Sequence, residues 1–411
     1  MKQRYDSYKP SGIDWIGDIP SHWELRRMRY LCDIITGDKD TVNRVDDGLY
    51  PFYVRSPQIE RINSYSFDGE AVLMAGDGVG AGKVLHYATG KFDFHQRVYN
   101  FHNFREIKGK LLYQYLKSLF KYKIEEGGAK NTVDSVRQPW LKDFPVCIPP
   151  LAEQEAIAAW LDEKCGEIDA AIAKVDREIE LIDELKQSEI SRVVTHGLNP
   201  DAHLHPSGID WIGDIPEHWT KCRLKFIGSA RNGLTYSPSD VKDSGKLVIR
   251  SSNIQDSKLN YDDCVFVANY PETLSVNSGD TIICSRNGSI NLIGKSVFIE
   301  DDMDVTFGAF MMRFRPYEHP KYSHYLLSIA ISRYKGLFAT TTINQLTADS
   351  LGKMEAVMPP YMEQIQIADY LDKKCAEIDG LKEKLTKKRE TLTELRQSII
   401  SEVVTGKRKV I

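Results

Sequence analysis

The 411-residue sequence contains no apolar run approaching the roughly 18–20 residues that a transmembrane helix requires. Its opening, MKQRYDSYKP, lacks the apolar segment of a secretory signal. Only seven cysteines are present and none forms a C-x-x-C pair, so neither a zinc ribbon nor a disulfide framework is indicated. These absences predict a reduced, cytoplasmic protein that does not associate with membranes.

The sequence also lacks a strong excess of charge of either sign. Lys and Arg number 54 against 58 Asp and Glu, and the resulting net charge of −4 argues against a histone-like protein that coats DNA through bulk charge. The 10 histidines are scattered without metal-ligand spacing, so no metal site is predicted. The length corresponds to two or three globular domains.

No complete catalytic or nucleotide-binding motif is present. The glycine-rich run 76–83 has Asp77 where a Walker A loop needs glycine and Val84 where it needs Ser or Thr. Residues 358–361, MPPY, resemble the Asp/Asn-Pro-Pro-Tyr motif of amino-methyltransferases, but methionine cannot hydrogen-bond a target amine. None of these motifs supplies a candidate catalytic residue. A methyltransferase or nuclease with its activity in this chain is the less favoured alternative.

The chain does contain a clear internal repeat. Residues 10–23, PSGIDWIGDIPSHW, recur as residues 206–219, PSGIDWIGDIPEHW, with 13 of 14 positions identical. Residues 149–195 align with residues 359–405 at an offset of 210, with 24 identities in 47 positions. The sequence between these segments diverges, so each half is a shared frame around a variable insert. This organisation favours a protein that binds two different ligands over a duplicated catalytic site.

The second repeated segment predicts two long helices, each with a heptad seam. Apolar side chains follow the Pro-Pro pair at alternating spacings of three and four residues, which indicates a coiled coil. Residues 151–200 carry 5 basic and 12 acidic groups, and residues 361–411 carry 11 and 9, so the opposite net charges favour pairing of the two helices with each other. Two unrelated amphipathic helices, each packed on its own domain, are the alternative. The predicted seam consists of Ile168, Ile172, Val175, Ile179 and Ile182 in the first helix and Ile378, Leu381, Leu385, Leu392, Leu395 and Ile399 in the second.

The inserts combine β-rich runs with amphipathic helices, which predicts an α+β fold. Arg55-Ser56 and Arg250-Ser251 each follow an apolar strand, from which arginine can reach guanine or a phosphate. A structural ion pair is an equally good interpretation of these arginines. Arg286 and Asn287 lie at a predicted loop tip and are side chains suited to base readout. Lys83 ends the glycine-rich run, whose backbone N–H groups can approach a DNA phosphate if the run is more than a simple hairpin.

This organisation resembles the specificity subunit of type I DNA restriction–modification systems. The resemblance rests on Ile-Pro-x-His-Trp at residues 19–23 and 215–219, on Pro-Pro-x-x-Glu-Gln at residues 149–154 and 359–364, and on the long helix after each Glu-Gln. It covers essentially the whole chain, and the duplication of the motifs around variable inserts is its most specific feature.

The resemblance implies an α+β architecture with a pseudo-twofold internal repeat. Target recognition domains would span residues 1–150 and 199–360, with a central conserved spacer helix at 151–198 and a C-terminal one at 361–411, the two helices forming an antiparallel coiled coil. Each domain would read one half of a bipartite, asymmetric site in double-stranded DNA.

The resemblance also implies partner subunits. Two modification subunits would methylate adenine N6 with S-adenosylmethionine, and two restriction subunits would use ATP and Mg²⁺, while this chain itself would bind no cofactor. A coiled-coil scaffold with two variable protein-binding domains and no affinity for DNA is the remaining alternative.

Overall fold

Two long helices contribute to both of the units into which the chain divides. In the computed structural model, which describes residues 3–126, 135–338 and 344–410, unit 1 comprises Met1–Arg177 and Thr386–Ile411, and unit 2 comprises Glu178–Leu385. Each unit contains mixed strands and helices together with a stretch of each long helix. The predicted α+β class is confirmed.

The long helices have 46 and 44 residues and begin directly after the two Pro-Pro pairs. Gly197 and Gly406 follow their last turns with φ of 74° and 73°, the left-handed conformation that glycine adopts most readily after a helix. Among the described residues, no helix is long and apolar enough to cross a membrane. The helices are α1 (Gly109–Glu126), α2 (Gln138–Lys142), α3 (Leu151–His196), α4 (Leu224–Ile227), α5 (Pro320–Tyr334), α6 (Ala348–Lys353) and α7 (Tyr361–Val404).

Unit 1 contains two four-stranded sheets and two short two-stranded pairs. Its strands are β1 (Tyr8–Pro10), β2 (Asp18–Pro20), β3 (Glu24–Arg27), β4 (Asp33–Thr36), β5 (Tyr50–Tyr53), β6 (Glu60–Ile62), β7 (Phe67–Asp68), β8 (Ala71–Ala75), β9 (Leu85–Ala88), β10 (Lys91–Phe94), β11 (Val98–His102) and β12 (Pro145–Ile148). One sheet has the antiparallel order β4-β11-β8-β9. The other has the order β6-β5-β10-β7, with β5 and β10 parallel. The pairs are β1-β2 and β3-β12.

Unit 2 repeats this arrangement despite its divergent sequence. Its strands are β13 (Leu204–Pro206), β14 (Asp214–Pro216), β15 (Thr220–Arg223), β16 (Gly228–Asn232), β17 (Val241–Lys242), β18 (Lys246–Ile249), β19 (Ile254–Gln255), β20 (Lys258–Leu259), β21 (Phe266–Val267), β22 (Thr281–Cys284), β23 (Arg286–Asn287), β24 (Ser296–Phe298), β25 (Val305–Phe307), β26 (Met311–Pro316), β27 (Asn344–Gln345) and β28 (Glu355–Met358). The sheet β16-β26-β22-β24 matches the antiparallel sheet of unit 1, and β17-β21-β18-β25 again contains one parallel pair. The repeat therefore extends through the inserts at the level of the fold.

The core of each unit is built on the beginning of one long helix and the end of the other. In unit 1, Leu161 of α3 and Val403 of α7 are fully buried in the core that also contains α1. In unit 2, Leu371 of α7 and Val193 of α3 are fully buried in the core that contains α5. Burying a leucine or valine of this kind contributes about 1.5–3 kcal/mol, so both helices are integral to both cores.

Within each unit, the segments of α3 and α7 run antiparallel. Four of the ion pairs between them share one register, in which each step of seven or three residues forward along α3 corresponds to an equal step backward along α7. The alternating charges thus pair the two helices with each other, as their opposite net charges predict. The ion pairs are Asp169–Arg396 (2.7 Å) and Asp176–Arg389 (2.6 Å) in unit 1, and Asp183–Lys382 (2.8 Å) and Lys186–Asp379 (2.6 Å) in unit 2.

On α3, the structure places the predicted seam residues on the inner face. Ile168 and Val175 are buried, and Ile172, Ile179 and Ile182 are half-buried. Among the predicted positions on α7, Ile378 and Ile399 are buried and Leu385 and Leu392 are half-buried.

The predicted seam is wrong at Leu381 and Leu395, which are 52% and 47% exposed. Half-buried side chains instead lie one residue further along, at Lys382 and Arg396, and the exposed Arg389 continues the same spacing. These side chains can lay their aliphatic stems over the seam while their cationic ends reach the aspartates of α3.

Candidate nucleic-acid interface

The repeated motifs meet at the start of each long helix. In unit 1, the indole N–H of Trp23 donates to Glu153 Oε2 at 2.9 Å, and His22 Nε2 lies 2.6 Å from Oε1 of the same carboxylate. In unit 2, Glu363 contacts the equivalent residues through a single oxygen, Oε2, with the indole N–H of Trp219 donating at 3.1 Å and His218 Nε2 at 2.8 Å. The His-Trp segment is therefore fixed to its helix through one glutamate, which is a structural role.

The glutamine that follows this glutamate joins the insert to the helix. The amide of Gln154 donates to the carbonyls of Glu106 and Pro149 at 2.7 and 2.9 Å and accepts from the backbone N–H of Lys108 at 2.8 Å. In unit 2, Gln364 donates to the carbonyl of Pro359 at 3.0 Å and accepts from the backbone N–H of His319 at 3.1 Å. The Pro-Pro-x-x-Glu-Gln motif is thus a junction that connects the repeated His-Trp segment and the variable insert to the start of the long helix.

Removing the carboxylate from this junction is expected to destabilise unit 2. Glu363→Ala leaves the indole N–H of Trp219, a residue only 2% exposed, without its acceptor. An unsatisfied buried donor costs about 1–3 kcal/mol, so the free energy of unfolding should fall by that amount in chemical denaturation. Glu383→Ala, which removes an exposed carboxylate from the same helix, is the control and should change stability by less than about 0.5 kcal/mol. Equal stability of the two variants would contradict this role.

Four of the seven predicted DNA-contact residues line one cleft in unit 2. Arg250, Ser251, Arg286 and Asn287 border a cavity of about 490 Å³, together with Phe310. They come together because β18 ends just before Arg250, β23 follows β22, and the connection from β25 to β26 carries Phe310. The ends of neighbouring strands thus present polar and aromatic groups to one concave surface.

The two arginines of this cleft have different surroundings. Arg250 is held by Asp263, through the carboxylate at 2.7 Å and the backbone carbonyl at 2.9 Å, so an ion pair occupies part of its guanidinium. Arg286 donates to the amide oxygen of Gln345 at 2.8 Å and lies 5.7 Å from the ring centre of Phe310, which is 54% exposed. In the described part of the chain, Arg286 pairs with no carboxylate. Its charge is therefore available to an anionic ligand.

The neighbouring serine and asparagine are oriented by the backbone. The carbonyl of Ser251 accepts from Lys295 Nζ at 3.1 Å, and Asn287 Oδ1 accepts from the N–H of Ser289 at 3.0 Å. The side chain of Asn287 is half-buried at the edge of the cleft. Its amide is consequently held in place and still reaches the surface.

In unit 1, the predicted residues lie around the end of β5 and the β8–β9 turn. Arg55 Nη1 donates to Asp77 Oδ1 at 3.0 Å, and Arg97 Nε lies 3.7 Å from Asp77 Oδ2. The carbonyl of Ser56 accepts from His86 Nε2 at 3.2 Å. Arg55 is thus ion-paired like Arg250, although 44% of its side chain remains exposed.

Lys83 is exposed at the end of the glycine-rich turn. Within this turn, Gly78 adopts a φ of 74°, and a Cβ at Gly80 would lie 2.8 Å from the carbonyl oxygen of Arg55. The absence of side chains therefore lets the turn lie directly against Arg55.

The buried His95 adjoins this group. Its burial, followed by the nearby Arg55 cation, lowers the pKa of His95 below the usual 6.5, so the imidazole is neutral at pH 7. Its Nδ1 accepts from the backbone N–H of Arg97 at 2.9 Å. The positive charge of this surface therefore comes from the arginines and Lys83.

Sequence reasoning missed Arg97 and Phe310, and it considered Asp77 only as a departure from a phosphate-loop motif. Arg97 lies between β10 and β11, and Phe310 lies between β25 and β26, two connections at the same place in the two units. Neither carries a sequence signal, because only the pairing of strands distant in the sequence brings them to the site. Among the described residues, no group of three or more His, Cys, Asp or Glu is placed to hold a metal ion.

The family model of the type I restriction modification DNA specificity domain matches residues 20–180 and 216–388. Because these matches cover well over half of the sequence, the chain belongs to this family, and the resemblance noted from the repeated motifs is confirmed. The family membership does not favour the interpretation of the chain as a scaffold without affinity for DNA.

Individual relatives match over different lengths. The type I restriction enzyme EcoDI specificity subunit of Escherichia coli is 31% identical over 183 residues, which are 44% of this chain and 39% of that protein. The chain thus matches about two fifths of the length of this relative. The putative type I restriction enzyme MjaX specificity subunit of Methanocaldococcus jannaschii is 24% identical over an alignment of 437 positions, gaps included, that covers 96% of this chain and 96% of that protein.

One solved structure supports the same fold. A chain from a structure of the type I restriction–modification system, described in terms of complex assembly and conformational transition, superimposes with a TM-score of 0.67 at 15% identity. The match covers 94% of this chain and 98% of that chain. The fold is therefore shared although little of the sequence is.

Proposed function

We propose that this chain is the DNA sequence-recognition subunit of a type I restriction–modification complex and that each unit reads one half of a bipartite, asymmetric site in double-stranded DNA. The observation that carries the proposal is the placement of different polar residues at the same point of the same fold. Arg55 with Asp77 in unit 1, and Arg250 with Arg286 and Asn287 in unit 2, lie at corresponding strand ends. One scaffold with two sets of reading side chains suits two unlike half-sites.

The proposal assigns the chemistry to partner subunits. Two modification subunits would bind S-adenosylmethionine and methylate adenine N6, and two restriction subunits would use ATP and Mg²⁺ for translocation and cleavage. This chain would supply sequence recognition without catalytic residues of its own. The complex would act in the cytoplasm, where a bacterial or archaeal chromosome is accessible.

The side chains of the cleft suit both kinds of DNA contact. A guanidinium has five N–H donors, and the bond to Gln345 uses one from Arg286, which leaves donors for the O6 and N7 atoms of guanine. Lys83 and Arg55 are exposed cations of the kind that neutralise phosphates. Arg286 would therefore help to specify the sequence, and Lys83 and Arg55 would help to position the DNA.

DNA binding by the assembled complex tests this function directly. Affinity for a cognate duplex should fall steeply with salt, and Arg286→Ala should lower it by about 10–100-fold and relax one position of one half-site. Arg223→Ala is the control, because this exposed arginine lies on β15 and does not line the cleft. Binding that is insensitive to salt, or equal losses in both variants, would count against the proposed interface.

A further inference from the structure

We propose that Asp77 and Asn287 are base-reading residues at corresponding positions of the two units, with Asp77 recognising cytosine and Asn287 recognising adenine. This inference rests on the proposed function and adds the position and the chemistry of one reading contact in each half-site.

The correspondence of these residues is supported by sequence and by backbone pairing. The offset of 210 that aligns Gly69–Leu73 with Gly279–Ile283 also aligns Asp77 with Asn287. Both residues follow the third strand of the same four-stranded order, β8 in one unit and β22 in the other. Each then forms one further antiparallel pairing, Asp77 with Ser135 and Asn287 with Asn344.

Asp77 has the environment expected of an acceptor that faces DNA. A bare carboxylate would be repelled by phosphates, but Arg55 donates to its Oδ1 at 3.0 Å and Arg97 lies 3.7 Å from its Oδ2. The two guanidinium groups therefore offset its charge. Since each carboxylate oxygen has two lone pairs, Oδ2 keeps the capacity to accept another hydrogen bond. In the major groove, the N4 amino group of cytosine is the donor that Asp typically recognises.

Asn287 offers a donor and an acceptor side by side. Its Oδ1 accepts from the N–H of Ser289 at 3.0 Å, which orients the amide and leaves a second lone pair on the oxygen. Its Nδ2 donates to no group within the described ranges. A bidentate contact with adenine needs this combination, with Nδ2 donating to N7 and Oδ1 accepting from N6. The adjoining Arg286 and Phe310 line the same cleft, with the guanidinium 5.7 Å from the ring centre.

Asp and Asn have nearly the same shape and differ mainly in charge and in the amide donor. The exchanges Asp77→Asn and Asn287→Asp should therefore alter recognition with little change in packing. In the full chain assembled with its modification subunits, we expect each variant to change the base preference at one position of one half-site by about tenfold or more. The Asp77 variant should shift from cytosine towards adenine, and the Asn287 variant should shift in the opposite direction.

The measurement combines genome-wide mapping of N6-methyladenine with binding to duplexes in which every base pair of both half-sites is varied. Thermal melting of each assembled complex is recorded alongside. Asp47→Asn is the matched control in unit 1, because Asp47 is an exposed carboxylate in the connection between β4 and β5, and it should leave the recognised sequence unchanged.

The possible outcomes separate the two proposals. A wild-type complex that methylates no bipartite sequence would overturn the proposed function itself. If the wild type methylates such a sequence and a variant keeps both its base preference and its affinity, the inference for that unit is overturned and the proposed function stands. A variant that melts at a lower temperature and binds all duplexes equally weakly would also overturn it, since the residue then serves the fold. A change confined to one position of one half-site supports it.

Discussion

Replacing residues 24–148 with the corresponding insert of a relative is expected to change one half of the recognised DNA sequence and to leave the other half as it was. The exchanged segment begins with β3 and ends with β12, which pair with each other. The anchors Trp23, Glu153 and Gln154 lie outside it. The reading residues of unit 1, including Arg55 and Asp77, all lie inside it, so the exchange transfers the proposed reading surface as one piece.

The exchange should be tolerated because the junction uses backbone groups of the insert. Gln154 donates to the carbonyl of Glu106 and accepts from the N–H of Lys108, which an insert with any residue but proline at the second position can supply. The contacts across the junction that involve side chains of the insert include those of Lys110 with Asp162 and of Ser118 with Gln397. Inserts that keep a cation and a hydroxyl at these two positions should assemble best.

Mapping of N6-methyladenine in the presence of the modification subunits shows which DNA sequence the exchanged chain recognises. The reciprocal exchange of residues 220–358 provides the control and should alter only the other half-site. If either exchange changed both half-sites, or neither, the assignment of one unit to each half-site would be wrong.

How much the sequence could predict depends on whether the determining contacts are local. The seam of α3 follows from β-branched residues at regular spacing, such as Ile168, Ile172 and Val175, because a helix alone places them on one face. On α7, the sequence allows two alternative sets of seam positions. Leu381 and Leu395 belong to the first set, and Lys382 and Arg396, each one residue later, belong to the second. The aspartates of α3 favour the second set through ion pairs, and such contacts form only when the two helices are paired.

The same distinction applies to the interface. Arg250 and Arg286 could be identified because each follows an apolar strand, which is a local pattern. Their partners could not, because Asp263, Gln345 and Phe310 reach them through strand pairing and connections that are not encoded near the arginines. The fold of the inserts was likewise predictable only as α+β, since the shared strand order of the two units is carried by few identical residues.

The second large expected effect depends on which positions of α7 are buried in the core. Ile399→Asp should destabilise unit 1 by roughly 4 kcal/mol or more, because it places an unpaired carboxylate at a site that is 9% exposed and removes apolar contacts from the core. Leu395→Asp, one helical turn earlier on α7, should cost only about 1 kcal/mol or less, because that side chain is already 47% exposed. Ile172→Asp should fall between them, since Ile172 is half-buried against the same core.

This comparison holds the introduced group constant and varies the burial of the site that receives it. Chemical denaturation of the full chain gives the loss of stability, and size-exclusion chromatography with the modification subunits shows whether the complex still assembles. We expect Ile399→Asp to weaken both the fold and the assembly, while Leu395→Asp leaves the fold close to the wild type. The reverse order of damage would mean that α7 packs through Leu381 and Leu395, and the ion pairs of Arg396 and Arg389 would then not define the contact between the two helices.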